Sequence, residues 1–439
     1  MIRHETLNPP NHIYPVNEWK MIETCFYPRF LAQTETIFSI GNGYLGMRGN
    51  HDEGTPVSQP GTFINGFHET WPIVYGENAY GFAKTGQTML NVTDAKVIRL
   101  YVDDEPFFLP TASLQLFERT LDMREGILER RVLWETAAGK QVLIESKRLV
   151  SLQHRHVAAI SYQVTLLNAD APVTISSEVH VTQETHGEGN DPRLATSVPH
   201  KNLIPQGHSS EGLRMILSHR ACHSGMSLAC GVDHLFDTDC SYTSSNECDG
   251  DLGKLVFSVD AKQAKPIHLI KFITYQSSRH AATRELADRA ERTLARAVDK
   301  GFDELVNGQK EFMADFWRRS DIRILGNEAA SGRDKYEMQQ AMRWVRAAAA
   351  GPADPLYEAL FASLPGVRIT TGGAAVPVVT MIGIGFGILL SGVVVTESVF
   401  AIPGVGRLTV DAIFRRDFPV IQGVVLVMSA VYVLLNLLV

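Results

Sequence analysis

Charge is what this chain most conspicuously lacks, in two places. From Ile369 to Thr396, and again from Phe418 to Val439, there is no Asp, Glu, Lys, Arg or His. A bilayer core about 30 Å thick is crossed by roughly 20 mostly apolar helical residues. Each run is long enough, so the expectation is two transmembrane helices, over about 374–396 and 418–439. Cysteine is also sparse: Cys25, Cys222, Cys230, Cys240 and Cys248 form an odd set without CxxC spacing. Met1 to Pro10 is polar and carries Arg3, His4 and Glu5, so no secretion signal is expected. Free thiols in a reducing compartment follow, and the sequon Asn91-Val92-Thr93 then has no glycosylation to receive. No strongly basic stretch interrupts the residues before the first uncharged run, which argues against nucleic acid as a partner.

The whole-chain averages, 45% hydrophobic, 20% charged and a net charge of −7, describe an ordinary mildly acidic protein and conceal that tail. From Glu35 to about Gln276 strand signals dominate. Ile127 to Leu133, Gln141 to Leu149, Val157 to Leu166 and Val173 to Val179 are short β-branched and aliphatic runs separated by turn residues such as Ala138-Gly139-Lys140. Leu213 to Leu217, Lys254 to Val259 and Ile267 to Tyr275 continue them. So many short strands predict a large antiparallel β-sandwich rather than a βαβ sheet. From Arg279 to Arg319 the period becomes helical, with Leu286, Ala290, Leu294, Ala297 and Val298 on one stripe and Phe302, Leu305, Phe312, Phe316 and Trp317 on a second. A strand-like piece, Asp321 to Leu325, and the start of another helix near Lys335 follow.

Gly41-Asn42-Gly43-Tyr44-Leu45-Gly46 satisfies GxGxxG after the strand-like Thr36 to Ile40. A dinucleotide site needs that loop to open a helix, whose N-terminus holds the pyrophosphate. Here Gly49, Gly54 and Pro56 follow within ten residues, so the expectation is a glycine-rich turn between strands. Other candidates have bland counterparts. His68-Glu69 lacks the second histidine of HExxH and reads as a surface pair. Cys222 with His223, or Cys240 with Cys248, lacks short ligand spacing and reads as packing, so no metal is expected. Asp103, Asp104 and Glu105 before Pro106 read as a solvated turn.

Phe38 to Gly49 with Gly61-Thr62-Phe63-Ile64-Asn65-Gly66, Leu121 to Leu128, Arg148 to Leu152 with His156, Trp317 with Ser320-Asp321-Ile322, and Gln339 to Trp344 together resemble glycoside hydrolase family 65, which contains inverting maltose, kojibiose and trehalose phosphorylases. The resemblance spans about residues 10–346. It implies an N-terminal β-sandwich, a helical linker and an (α/α)6 barrel that carries the general acid and the phosphate site. The barrel is expected to be absent beyond its first helix, so no catalytic residue is carried over and no cofactor is assigned. Inorganic phosphate, with a disaccharide or other α-glucoside, is the co-substrate of intact relatives. Arg48, Asn50, His51 and Asp52, in the loop after the glycines, are the candidates for meeting sugar or the barrel face.

Val376 to Thr380, Val394 to Leu408, Asp411-Ala412-Ile413, Arg416 to Pro419 and Gln422-Gly423 resemble the C-terminal end of a dipeptide or oligopeptide ABC-transporter permease, over about 374–439. That resemblance implies the last two spans, a lipid bilayer as surroundings, permease and ATPase subunits as partners, and an inner-membrane location with the sandwich on the cytoplasmic side. The expected organisation is a sandwich over 1–276, a helical linker and first barrel helix over 277–346, a junction over 347–373 and the permease-like fragment over 374–439. The expected function is that of a chimera: the non-catalytic part of a disaccharide phosphorylase joined to a transport fragment. The alternatives are a partial permease with a soluble head and a membrane-tethered carbohydrate-binding sandwich.

Overall fold

The computed structural model describes residues 12–15, 17–73, 84–181 and 202–320, and the backbone of 322–325 and 368–371. Apart from the backbone of 368–371, the two uncharged runs and the junction lie outside the described residues, as does Trp344. Among the described residues no helix is long and apolar enough to cross a membrane. The chain divides into two compact units, one holding residues 1–314 with 338–352, the other 315–337 with 353–439.

The first unit is a mainly β sandwich. Its larger sheet has nine strands in the order β1 (Lys20–Glu23), β8 (Ser113–Asp122), β9 (Ile127–Glu135), β10 (Gln141–Val150), β11 (Val157–Leu166), β18 (Pro266–Ser278), β15 (Ser227–Thr238), β14 (Arg214–Ala221) and β13 (Leu203–Glu211). The second has five, β16 (Tyr242–Cys248), β17 (Leu252–Ala261), β12 (Ala171–His180), β6 (Ile98–Val102) and β7 (Glu105–Pro106). A four-stranded sheet joins β2 (Ile40–Gly41), β3 (Leu45–Met47), β4 (Thr62–Pro72) and β5 (Thr85–Asn91). Described pairings within these sheets are antiparallel, as period-2 alternation demands of half-buried strands. One core runs between them, with Trp134, Val142, Ile144, Tyr162 and Tyr275 from the large sheet meeting Leu100, Ile175 and Phe257 from the second and Met47 and Phe67 from the third.

Along β10, Val142, Ile144, Ser146 and Arg148 turn inward while Lys147 is exposed. Where β11 begins, Val157 to Ile160 are buried without alternation. The reason is a second cover. The long helix α2 (Thr283–Ser320) lays Leu294, Ala297, Phe302 and Leu305 on the outer face against Leu149, Val157, Ala159 and Phe272. Its first turns set Leu286 and Ala290 on Ile216 and Ala229. Gly231 makes room, since a Cβ there would stand 2.9 Å from Leu294 Cδ1. α2 is two helices joined at Gly301, where φ is 77° and ψ 166°, a region open to glycine. The second stripe differs from expectation: Met313 and Gln309 are buried, whereas Phe312 sits at the margin, 41% exposed.

The strand expected over Thr36 to Ile40 begins only at Ile40: Thr36 and Ile37 close the helix α1 (Leu31–Ile37), and Phe38 and Ser39 lie between. Tertiary bonds compete with the local β-propensity here: from within α1 the buried Glu35 carboxylate accepts from the Ser58 and Gln59 amides at 2.8 and 2.9 Å. In the second unit, β19 (Ile322–Leu325) pairs antiparallel with β20 (Arg368–Thr371).

Candidate functional site

Gly41 to Gly46 forms the turn of the β2–β3 hairpin, with Gly43 at φ 82° and no helix after it. Asn42 ties it down: its side-chain oxygen accepts from the Tyr44 and Leu45 amides, and its amide donates to Ser151 O at 2.6 Å and Arg155 O at 3.0 Å. Tyr44 then meets the His156 ring edge-on at 4.5 Å, and the Arg155 guanidinium lies 4.5 Å over the Tyr44 ring. After β3 the chain turns into the protein. Gly49 permits this, because a Cβ would come within 2.6 Å of Phe38 Cβ.

The loop that follows places two carboxylates between the sheets. Asp52 O accepts from Ile98 N at 2.7 Å, which fixes the loop to β6. The Asp52 carboxylate accepts from Ser146 Oγ at 2.7 Å, from Arg148 Nη2, and lies 3.2 Å from Arg130 Nη2. Glu53 takes Arg130 bidentately at 2.6 and 2.7 Å, with Tyr162 OH 3.5 Å away. A neighbouring pair, Arg119 with Glu23 at 2.8 Å, stacks over the Phe38 ring at 4.2 Å and donates to Gly49 O. Burial alone would raise the Asp52 pKa; the Arg148 and Arg130 charges outweigh it and hold the group at about 2. Burial, together with Arg119, Arg130 and Arg148, pushes His51 well below 6.5, so its ring is neutral. Both ring nitrogens lack a protein partner, and the ring sits edge-on to Phe26 at 5.5 Å.

The four loop candidates are thus brought together, but inward. Asn50, His51 and Asp52 are 4% exposed or less. The Asn50 amide donates to Gln59 O. Arg48 is the shallowest: it donates to Thr36 Oγ1 at 3.0 Å, stands 3.7 Å from Glu35, and its stem crosses Gly61, where a Cβ would lie 2.3 Å away. In this arrangement their bonds tie the loop to the sandwich. Glu69, read as a surface carboxylate, is fully buried and accepts from the Thr70, His223 and Ser224 amides. Its strand alternates as an apolar-in strand does, and that was the signal to follow. Asp103 and Asp104, at φ 49° and 64°, form the expected turn between β6 and β7. The five cysteines are free thiols. Among the described residues no group of three or more His, Cys, Asp or Glu side chains is placed to hold a metal ion.

A cleft, missed in the sequence, opens where α2 crosses the turn between β10 and β11. It encloses about 200 Å³ between His154, Arg155, His156 and Val157 on one side and Thr293, Arg296, Ala297, Lys300 and Leu305 of α2 on the other. His156 Nδ1 donates to Tyr275 O at 3.0 Å, leaving Nε2 as the acceptor. Burial, then Lys300 and Arg296, lower the His154 pKa, and burial lowers that of His156. The helix is pinned beside the cleft by Gln309, which accepts from Leu152 N and donates to Gly126 O and Val150 O. The glycine hairpin, the Asp122 to Gly126 turn and the Arg148 to His156 segment therefore meet at one seam.

Residues 21–316 match the N-terminal domain of glycosyl hydrolase family 65. Residues 367–439 match the binding-protein-dependent transport system inner membrane component. A protein named alpha,alpha-trehalose phosphorylase from Thermoanaerobacter brockii is 37% identical over 321 residues, 72% of this chain and 42% of that protein. Maltose phosphorylase of Bacillus subtilis (strain 168) is 27% identical over 348 residues, covering 76% of this chain and 41% of its own length. A solved structure from human microbiome, provisionally named a kojibiose phosphorylase, superposes with a TM-score of 0.65 at 19% identity, over 77% of this chain and 42% of that one, and shows the same fold. The chain spans about two fifths of the length of these relatives.

Proposed function

We propose, for a chain that belongs to glycosyl hydrolase family 65 through its N-terminal domain, that the sandwich and α2 are a non-catalytic scaffold, joined in a chimera to a transport-permease fragment, without phosphorolytic activity of its own. The observation that carries this reading is the state of the buried acids. Inverting phosphorolysis needs a carboxylic acid poised over the glycosidic bond and phosphate opposite it. Among the described residues Glu23, Glu35, Asp52, Glu53, Glu69, Asp94, Asp122, Glu178 and Asp233 are the buried carboxylates, and each is held by a cation, a hydroxyl or backbone amides. Burial raises the pKa of Glu23 as a general acid would need, but that group is locked beneath Arg119 and Tyr14 and is 1% exposed.

The relatives named as phosphorylases of trehalose and maltose make a disaccharide and inorganic phosphate the substrates to test. The purified full chain, given phosphate with trehalose, maltose or kojibiose, is expected to release no glucose 1-phosphate. Release above the enzyme-free rate from any of the three overturns the scaffold reading. The match at 367–439 supports a second element of the proposal: the tail lodges in the inner membrane beside permease and ATPase subunits, with the sandwich cytoplasmic. The uncharged runs, one continuous from Ile369 to Thr396, suit that placement.

A further inference from the structure

We infer that the cleft between the β10–β11 turn and α2 is a binding site for a small oxyanion, a phosphate group either free or as a monoester. Its rim is cationic on both sides. Arg155 comes from the turn; Arg296 and Lys300 come from one face of the helix, four residues apart. None of the described residues lining it is acidic. Among the described residues, the carboxylate engaged with the rim is Glu304, which accepts from Lys300 Nζ at 2.6 Å and so offsets one charge, leaving the two guanidinium groups. Among the described residues neither arginine pairs with a carboxylate; Arg155 lies over the Tyr44 ring and Arg296 donates to Thr293 Oγ1 at 3.4 Å. The planar fork of a guanidinium group suits bidentate contact with a phosphate.

The rest of the cleft fits the same ligand. Its floor is Val157, Ala297 and Leu305, a partly desolvated surface on which charge-assisted hydrogen bonds strengthen. His156, with Nδ1 committed to Tyr275 O, turns its other nitrogen into an acceptor for a protonated phosphate oxygen or a monoester hydroxyl. At about 200 Å³ the space is below the roughly 300 Å³ where sites for larger organic ligands begin. The space therefore suits a small ligand better than a large organic one. The site lies on the sandwich and its linker helix, so it is independent of whether the chain performs phosphorolysis.

The test is titration calorimetry of the full chain in a non-saccharide detergent with inorganic phosphate, then glycerol 3-phosphate, at constant ionic strength set with chloride. Saturable phosphate binding is expected, weakened about tenfold in Arg296→Gln, a loss of about 1.4 kcal/mol. Arg155→Lys, which keeps charge and loses the planar fork, is expected to weaken it as well. Thermal melts of both exposed-site variants should match the parent, separating lost binding from lost folding. Tighter binding of glycerol 3-phosphate identifies a monoester as the ligand; equal or weaker binding identifies the free anion. Absence of saturable binding, or affinities unchanged in both variants, overturns the proposal.

Discussion

Two adjacent carboxylates between sheets are sustained because Asp52 and Glu53 each find a guanidinium within reach. Removing one partner leaves a buried charge uncompensated, a change that costs about 3–5 kcal/mol in comparable sites. Arg130→Met should therefore lower the denaturation midpoint of the sandwich sharply, whereas the double change of Arg130 and Glu53 to apolar residues, which leaves Asp52 paired with Arg148, should recover part of the loss; a double variant no more stable than the single one would refute this. Lys271 makes a different prediction. Its amine is fully buried, donates to Val97 O and Glu178 O, and burial depresses its pKa to about 7. The unfolded lysine titrates near 10.4, at about its ordinary value. Between those values the unfolded chain binds a proton that the folded chain does not, so stability should rise with pH from about 7 upward. On the acid side, burial holds His234 at about 3, so stability should fall below the ordinary histidine value near 6.5 as the unfolded ring protonates. Melting temperature against pH checks both; a flat profile above pH 7 that Lys271→Met does not alter would contradict the lysine argument.

At the scale of elements, the strands with period-2 alternation were legible: the expected Val157 to Leu166 is the observed β11, and Gln141 to Leu149 is β10 to within one residue. α1 was not legible, because β-branched Thr36 and Ile37 speak for a strand while the two amide bonds to Glu35 come from residues more than twenty positions away. The inward burial of the loop at Asn50 to Glu53 was not legible for the same reason. Its partners Arg130, Ser146 and Arg148 arrive from strands 77 or more residues on, and no local pattern reveals them. Glycine positions separate two kinds of element boundary. Gly126 has φ 71°, and a Cβ would lie 2.8 Å from Gln309 Nε2; Gly301 has φ 77° and open space around it. Alanine at Gly301, whose ψ of 166° lies in a region essentially confined to glycine, should cost about 1–3 kcal/mol from the backbone alone. At Gly126 alanine also displaces Gln309 from the Gly126 carbonyl, so Gly126→Ala should cost less in a Gln309→Ala background than in the parent. Equal costs in the two backgrounds would show that the Gln309 clamp contributes nothing.

For the molecule as a whole, two unrelated families account for separate stretches, 21–316 and 367–439. A tail seated in the inner membrane predicts that the chain stays in the membrane pellet after an alkaline carbonate wash. With the sandwich cytoplasmic, protease should digest it in inside-out vesicles and spare it in intact spheroplasts. Digestion in spheroplasts would reverse the topology, and a chain wholly in the carbonate supernatant would remove the membrane placement. Orientation was not legible from charge alone, since Arg407, Arg415 and Arg416 between the runs balance Arg343, Arg346 and Arg368 before them.

The charge network of the sandwich closes upon itself. Every cation that holds Glu23, Asp52 and Glu53 comes from β8, β9 or β10, and the Gln309 clamp is complete before the helix ends at Ser320. A break in the gene anywhere past that point cuts none of these bonds. The sandwich is therefore the kind of piece that recombination can carry into new neighbourhoods intact, and its ancestry can be traced separately from that of whatever is encoded downstream.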